Sequence, residues 1–178
     1  MIADPSARKE EVLLLEVRRK IYSAIGYFPG IHFRELQRKV RIATGNLEYH
    51  LDYLAKADLI KAEKAKPNKR FFPLGLNDSE RKILGVLRQN NFRKIIIKIL
   101  NDGTLTHKEI SEYLKISPSS ATWYISQLIE RNILAASKNG RGKRFDVRDR
   151  AEVIKIIIAH SESFFDKIVD KFVDAWVN

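Results

Sequence analysis

The chain has 178 residues, 44% of them apolar, no cysteine and a formal net charge of +11. The absent cysteine excludes disulfides and thiolate metal sites, and no apolar run reaches the roughly 18 residues of a membrane-spanning helix. Length allows one or two domains; Met1–Ser6 lacks the basic start and apolar stretch of a signal peptide, so a cytoplasmic location is expected.

Residues 8–26 carry Val12, Leu15, Ile21 and Ile25 at helical spacing, with Leu14 and Val17 beside them, and Tyr27-Phe28-Pro29-Gly30 ends that helix. Ile31 to Phe33 reads as a very short strand, and Arg34 to Val40 as a short helix with Leu36 and Val40 inward. Ala43 or Thr44 opens a third helix with the inner stripe Leu47, Leu51 and Leu54. Leu59–Lys64 and Arg70–Leu74 read as two strands around Ala65-Lys66-Pro67-Asn68. Capping residues at Asn77-Asp78-Ser79-Glu80 start a linking helix over 78–89, and residues 92–101 form the next helix. Thr106-His107-Lys108-Glu109 has the spacing of a capping box, Ser117-Pro118 marks another helix start, and Asn139-Gly140 is a hairpin dipeptide. Asp149 to Val177 is expected to form one long amphipathic helix.

This order repeats. Shifting the sequence by 74 residues lays Arg19–Phe71 on Arg93–Phe145 without a gap, with identities that include Ile21/Ile95, Glu35/Glu109, Leu54/Leu128 and Lys69-Arg70-Phe71/Lys143-Arg144-Phe145. The expected fold is mainly α with small β-hairpin wings. It divides into winged helix-turn-helix domains over 8–75 and 92–147, a linking helix over 76–91, and a C-terminal helix over 148–178. Charge follows the same division: +8 over residues 18–75, +1 over 76–92, +5 over 93–147, and −2 and −1 at the two ends. A positive excess that lies in the repeats and is absent from both ends is the footprint of a polyanion partner.

Two short helices joined by a tight turn form a helix-turn-helix, whose second helix fits a B-DNA major groove. Leu47-Glu48-Tyr49-His50-Leu51-Asp52-Tyr53-Leu54-Ala55-Lys56-Ala57-Asp58-Leu59-Ile60 resembles the recognition helix and following strand of winged helix-turn-helix regulators of the ArsR and MarR type. His32-Phe33-Arg34-Glu35-Leu36 followed by Thr44-Gly45-Asn46-Leu47 is similar to archaeal members, and Ser117 to Ile125 is a looser match. The resemblance implies a transcription regulator that binds double-stranded DNA, and terminal dimerisation helices are common in this group.

Periodicity turns Gly45, Asn46, Glu48, Tyr49, Asp52 and Tyr53 outward in the first repeat, and Ser119, Ser120, Thr122, Trp123 and Gln127 in the second. Of these, Gly45, Asn46, Tyr49, Tyr53 and the second-repeat set are the candidate base contacts. Amides, hydroxyls and aromatic edges suit base edges. Glu48 and Asp52 would meet phosphates unless one accepts from a cytosine amine or pairs with a neighbouring lysine. Arg34, Arg38, Lys39, Arg41, Lys64, Lys66, Lys69 and Arg70, then Lys138, Arg141, Lys143 and Arg144, are the candidate phosphate contacts. The apolar stripe of Phe164, Phe165, Ile168, Val169, Phe172 and Trp176, drawn out along a helix of about 40 Å, is expected to form a homodimer.

No P-loop, paired-acid or nucleophile–base pattern is present, so no enzyme is expected. His32, His50, His107 and His160 lack ligand spacing, so neither metal nor cofactor is expected. The transcription machinery is a further expected partner, and a membrane is not. The competing readings are a tandem winged-helix scaffold that docks protein, and a ligand-responsive repressor without a separate sensor domain.

Overall fold

Apolar spacing sets the elements in chain order. Ile21 and Ile25 face inward from α1 (Glu16–Tyr27). Then come β1 (Ile31–His32), α2 (Phe33–Val40), α3 (Thr44–Lys56), β2 (Ile60–Ala65) and β3 (Asn68–Pro73). These belong to a computed structural model that describes residues 15–65, 68–139 and 142–177. Val12, Leu14, the start of the first expected helix, and the hairpin residues Lys66, Gly140 and Arg141 lie outside the described residues. After α4 (Asp78–Leu87) the order recurs as α5 (Asn90–Asp102), β4 (Leu105–Thr106), α6 (His107–Leu114), α7 (Pro118–Glu130), β5 (Leu134–Asn139) and β6 (Gly142–Val147). The chain divides into two compact units between Arg81 and Lys82, within α4.

The repeat holds down to single bonds. Each unit has a three-stranded antiparallel sheet in which the second wing strand is central and pairs with the short strand, in order β1-β3-β2 and β4-β6-β5. Ile31 opposes Phe71 as Leu105 opposes Phe145, and His32 opposes Arg70 as Thr106 opposes Arg144. Both second helices end on a left-handed residue, Arg41 (φ 56°) and Lys115 (φ 54°). Both third helices are followed by another, Asp58 (φ 50°) and Asn132 (φ 59°), the residue types that best tolerate this region after glycine. In the turn between helices, Gln37 Nε2 donates to the Ile42 carbonyl at 3.3 Å, and Ser111 Oγ, 74 residues on, donates to the Ile116 carbonyl at 2.8 Å.

The core of unit 1 gathers Ile21, Ile25, Ile31, Leu36, Leu47, Leu51, Leu54 and Phe71. A fully buried side chain of this kind stabilises the fold by about 1.5–3 kcal/mol. The capping box forms as its spacing indicates: Thr106 Oγ1 accepts from the Glu109 N–H, and Glu109 accepts from the Thr106 N–H at 2.6 Å. Ser117 caps α7, with Pro118 at its first position.

The C-terminal segment departs from expectation. It is not one helix but α8 (Arg150–Ala159), a 3-10 turn (Ser161–Phe164) and α9 (Lys167–Val177). Ser163 Oγ donates to the His160 carbonyl, Phe165 is left-handed (φ 48°), and Asp166 accepts from the Ile168 N–H at 3.0 Å, so the break is stopped and restarted by local bonds. α9 turns back onto α5 of its own unit. Val169 (0% exposed) and Phe172 (1%) become core, and Phe164 is buried with Arg88 and Arg93 over its ring. An extended stripe of Phe164, Phe165, Ile168, Val169, Phe172 and Trp176 therefore does not exist. Ile168 is half-buried, and only Phe165 and Trp176 remain exposed. Buried Arg93 donates to Asp166 at 2.5 and 2.9 Å, and Arg88 donates to Ser163. Among the described residues no helix is long and apolar enough to cross a membrane.

Candidate nucleic-acid interface

In unit 1 the core takes Leu47, Leu51 and Leu54 from α3, which leaves Gly45, Asn46, Glu48, Tyr49, Asp52 and Tyr53 exposed. Tyr49, at 60% exposed, stands at the apex of this face. Tyr53 is steadied from behind, because the buried Arg18 guanidinium lies 3.6 Å from its ring centre. Sequence reasoning did not single out Arg18; a lone arginine at an inward phase of α1 was the available signal. His50 is half-buried, and burial first, then Arg18, lowers its pKa, which favours the neutral ring. Gly45 adds a further clue. A Cβ there would meet nothing within 4 Å, so packing does not require glycine in this exposed first turn. The missing side chain leaves room there for the close approach of an outside surface.

In unit 2, Ala121, Ile125 and Leu128 face inward from α7. Trp123, at the position of Tyr49, is 53% exposed and stacks on buried Phe92 with 5.9 Å between ring centres. Ser119 and Thr122 are exposed. The Thr122 hydroxyl already donates to the Pro118 carbonyl and lies 2.9 Å from His107 Nε2. Ser120 and Gln127 are half-buried and locally bonded, Ser120 to Ser117 and Gln127 to Glu130. Ser126, at the position of Asp52, is exposed on this face and was missed, though the 74-residue shift would have found it.

The cations fall into two groups. Arg34, Arg38, Lys39 and Arg41 are exposed along and just after α2, with Lys64 and Lys69 on the wing; Lys138 and Lys143 are exposed on the second wing. Lys66 and Arg141 lie outside the described residues. Arg70 and Arg144 differ from the rest. Arg70 donates to the Gly30 carbonyl at 2.7 Å. Arg144 donates to the Thr104 carbonyl at 2.5 Å and to its hydroxyl at 2.8 Å. Gly30 and Thr104 are equivalent in the repeat, so this identical pair clamps the wing strand to the loop before the short strand. Each thus directs part of its guanidinium into the fold, and each is half-buried where Lys69 and Lys143 are exposed.

Helix starts also show charge control. His32 accepts the Glu35 N–H through Nδ1 at 3.3 Å. Burial lowers its pKa; Glu35 opposes this, and Arg70, Arg38 and Arg34 reinforce it. The Glu109 carboxyl is held below its ordinary value, foremost by the Thr106 N–H. Among the described residues no cluster of three or more His, Cys, Asp or Glu side chains could hold a metal ion.

With this geometry in hand, the similarity to known proteins is specific. Residues 15–84 match a family model described as an N-terminal HTH domain, and residues 93–135 match one described as winged helix-turn-helix DNA-binding. An uncharacterised HTH-type transcriptional regulator of Methanocaldococcus jannaschii, MJ1398, is 27% identical over 132 residues, 74% of this chain and 33% of that protein. The chain thus spans about a third of that relative's length. The transcriptional regulator AdcR of Streptococcus pyogenes is 27% identical over 135 residues, 72% of this chain and 85% of that protein. Among solved structures, the transcriptional regulator Tm0710 of Thermotoga maritima aligns at 24% identity over 52% of this chain and 71% of its own, with a TM-score of 0.39. The family models thus place helix-turn-helix sequence in both halves of the chain, of the winged DNA-binding kind over residues 93–135, and the two sequence relatives are transcription regulators.

Proposed function

We propose that the chain is a cytoplasmic, sequence-specific regulator of transcription of the ArsR/MarR-like type. It binds double-stranded DNA through α3 and α7 as reading helices, with the wing and α2 cations on phosphates. One observation carries this reading: each third helix gives one face to its core and leaves the other exposed, polar and aromatic, beside exposed cations. Phosphate contacts position a protein, and base contacts specify the site. The reading includes a homodimer. We assign its contact to the apolar surface left once α9 has folded back, where Ile154, Ile158 and Trp176 line a groove of α8 and α9. Sedimentation at micromolar concentration tests this, and a monomer would remove the dimer without touching the rest.

The decisive experiment is binding to duplex DNA at several salt concentrations. If roughly six phosphates are neutralised, affinity falls about a thousandfold between 50 and 200 mM salt. A flat salt response, or no duplex binding at low salt, would favour the protein-docking scaffold instead.

A further inference from the structure

Glu48 and Asp52 are out of place on a helix that enters a groove between two rows of phosphates. They lie one turn apart on the same flank of α3, both exposed. Together with Arg34 from α2 and Lys69 from β3 they line a cleft of about 410 Å³ floored by Leu51 and Phe71. Opposite charges on one cleft would be expected to pair. Among the described residues, none of these four side chains makes an ion pair. Among the described residues, then, no cation pairs with either carboxylate.

The second unit supplies the internal control. Arg34 and Lys69 correspond to Lys108 and Lys143, so both units have cations at these positions. Glu48 and Asp52 correspond to Thr122 and Ser126, so the second unit has hydroxyls where the first has carboxylates. If the acids served only to balance the cations, they would be needed in both units. Their presence in one alone points to what that unit reads.

We infer that Glu48 and Asp52 make the first unit's site depend on a cytosine. This rests on the proposed DNA-binding reading and adds the base it demands. An ionised carboxylate only accepts hydrogen bonds. In the major groove guanine offers two acceptors, thymine offers an acceptor and a methyl group, and adenine sets its amine beside the N7 acceptor. Cytosine alone offers an amine with no acceptor of its own next to it. A nucleotide with cytosine satisfies the whole cleft: its phosphate takes Arg34 and Lys69, and its N4 amine donates to Glu48 or Asp52. Hydroxyls on α7 donate or accept and make no such demand. The bound DNA then contains two unlike elements, one that needs a C·G pair opposite α3 and one that does not.

The test uses the full chain and a duplex selected by it from random sequence. Cytosine is expected in one element of the selected sites. Replacing that cytosine by 2-pyrimidinone, which lacks only the 4-amino group, should weaken binding about 5- to 100-fold. The double variant Glu48→Ala/Asp52→Ala should bind both duplexes equally and unselected DNA more tightly than the parent chain. Both residues are exposed and alanine favours helix, so its fold is expected to persist, with circular dichroism as the check. Thr122→Ala/Ser126→Ala should keep the cytosine effect. Sites without cytosine, or a pyrimidinone penalty that survives in the Glu48/Asp52 variant, overturn the inference while DNA binding stands. Failure to bind any duplex at low salt defeats the DNA-binding reading itself.

Discussion

Two equivalent residues show how one position can be solved in two ways. His32 and Thr106 both cap a helix whose third residue is a glutamate, but only Thr106 completes a reciprocal box. A neutral imidazole is needed for Nδ1 to accept, and the fold lowers the pKa of His32 by burial foremost. Because its folded pKa lies below the unfolded one, its contribution is full above the ordinary histidine range and is lost as pH falls through the folded value. His32→Thr should remove that acid-side loss and, with Glu35 in place, add about 0.5–1 kcal/mol at mildly acidic pH. Urea unfolding across pH reads both effects; an unchanged acid limb would refute the assignment. Gly45 is a second residue-scale case. Gly45→Ala should raise stability by a few tenths to about 1 kcal/mol, because the added methyl meets open space and alanine favours helix. It should weaken DNA binding if duplex backbone or bases approach there, and a gain in stability without loss of affinity would show the glycine is idle.

At the scale of elements, the wing separates into a frame and a contact surface. Arg70 and Arg144 belong to the frame, through the carbonyls of Gly30 and Thr104. Lys69 and Lys143, one residue earlier, are exposed. Arg70→Ala or Arg144→Ala should cost about 1–3 kcal/mol of stability. Lys69→Ala or Lys143→Ala should change stability by less than about 0.5 kcal/mol and weaken binding to all sequences alike. Thermal unfolding paired with binding to selected and random duplexes separates the two; equal stability losses would undo the division. The same contrast marks what was legible beforehand. As far as Val147, helix and strand positions, the inward stripes and most of the exposed faces followed from periodicity, because burial repeats with the element's period; Ser120 and Gln127, expected outward, are half-buried. The clamp was not legible, since arginine in a basic hairpin looks the same whether it points out or in. Only the shared register, His32 against Arg70 and Thr106 against Arg144, directs it inward.

At the scale of the molecule, the C-terminal segment is where sequence periodicity misled most. Phe164, Ile168 and Phe172 stand four apart in the sequence, so periodicity did not show the 3-10 turn and the left-handed Phe165 that break the helix between them. The stripe was read as an outward arm, but it closes its own unit. Arg93, at 8% exposed, depends on Asp166. Burial alone would raise the Asp166 pKa, yet the Ile168 N–H and the Arg93 guanidinium outweigh it and hold the carboxyl below its ordinary value. Its contribution is therefore full above the ordinary aspartate range and is lost as pH falls through the lowered folded value. Asp166→Asn should cost about 3–5 kcal/mol at neutral pH by stranding a buried charge, and should flatten that acid-side loss. Phe172→Ala should cost about 3–5 kcal/mol. Domains of this size are stable by only about 5–15 kcal/mol. Deleting the residues after Ser161 removes Phe164, Asp166, Val169 and Phe172 together, so unit 2 should not stay folded. Both tryptophans of the chain, Trp123 and Trp176, lie in unit 2, so their emission reports that unit alone. The truncated chain should show unfolded-like Trp123 emission without denaturant. Native emission with a cooperative urea transition would mean that α9 contributes nothing to the core it fills.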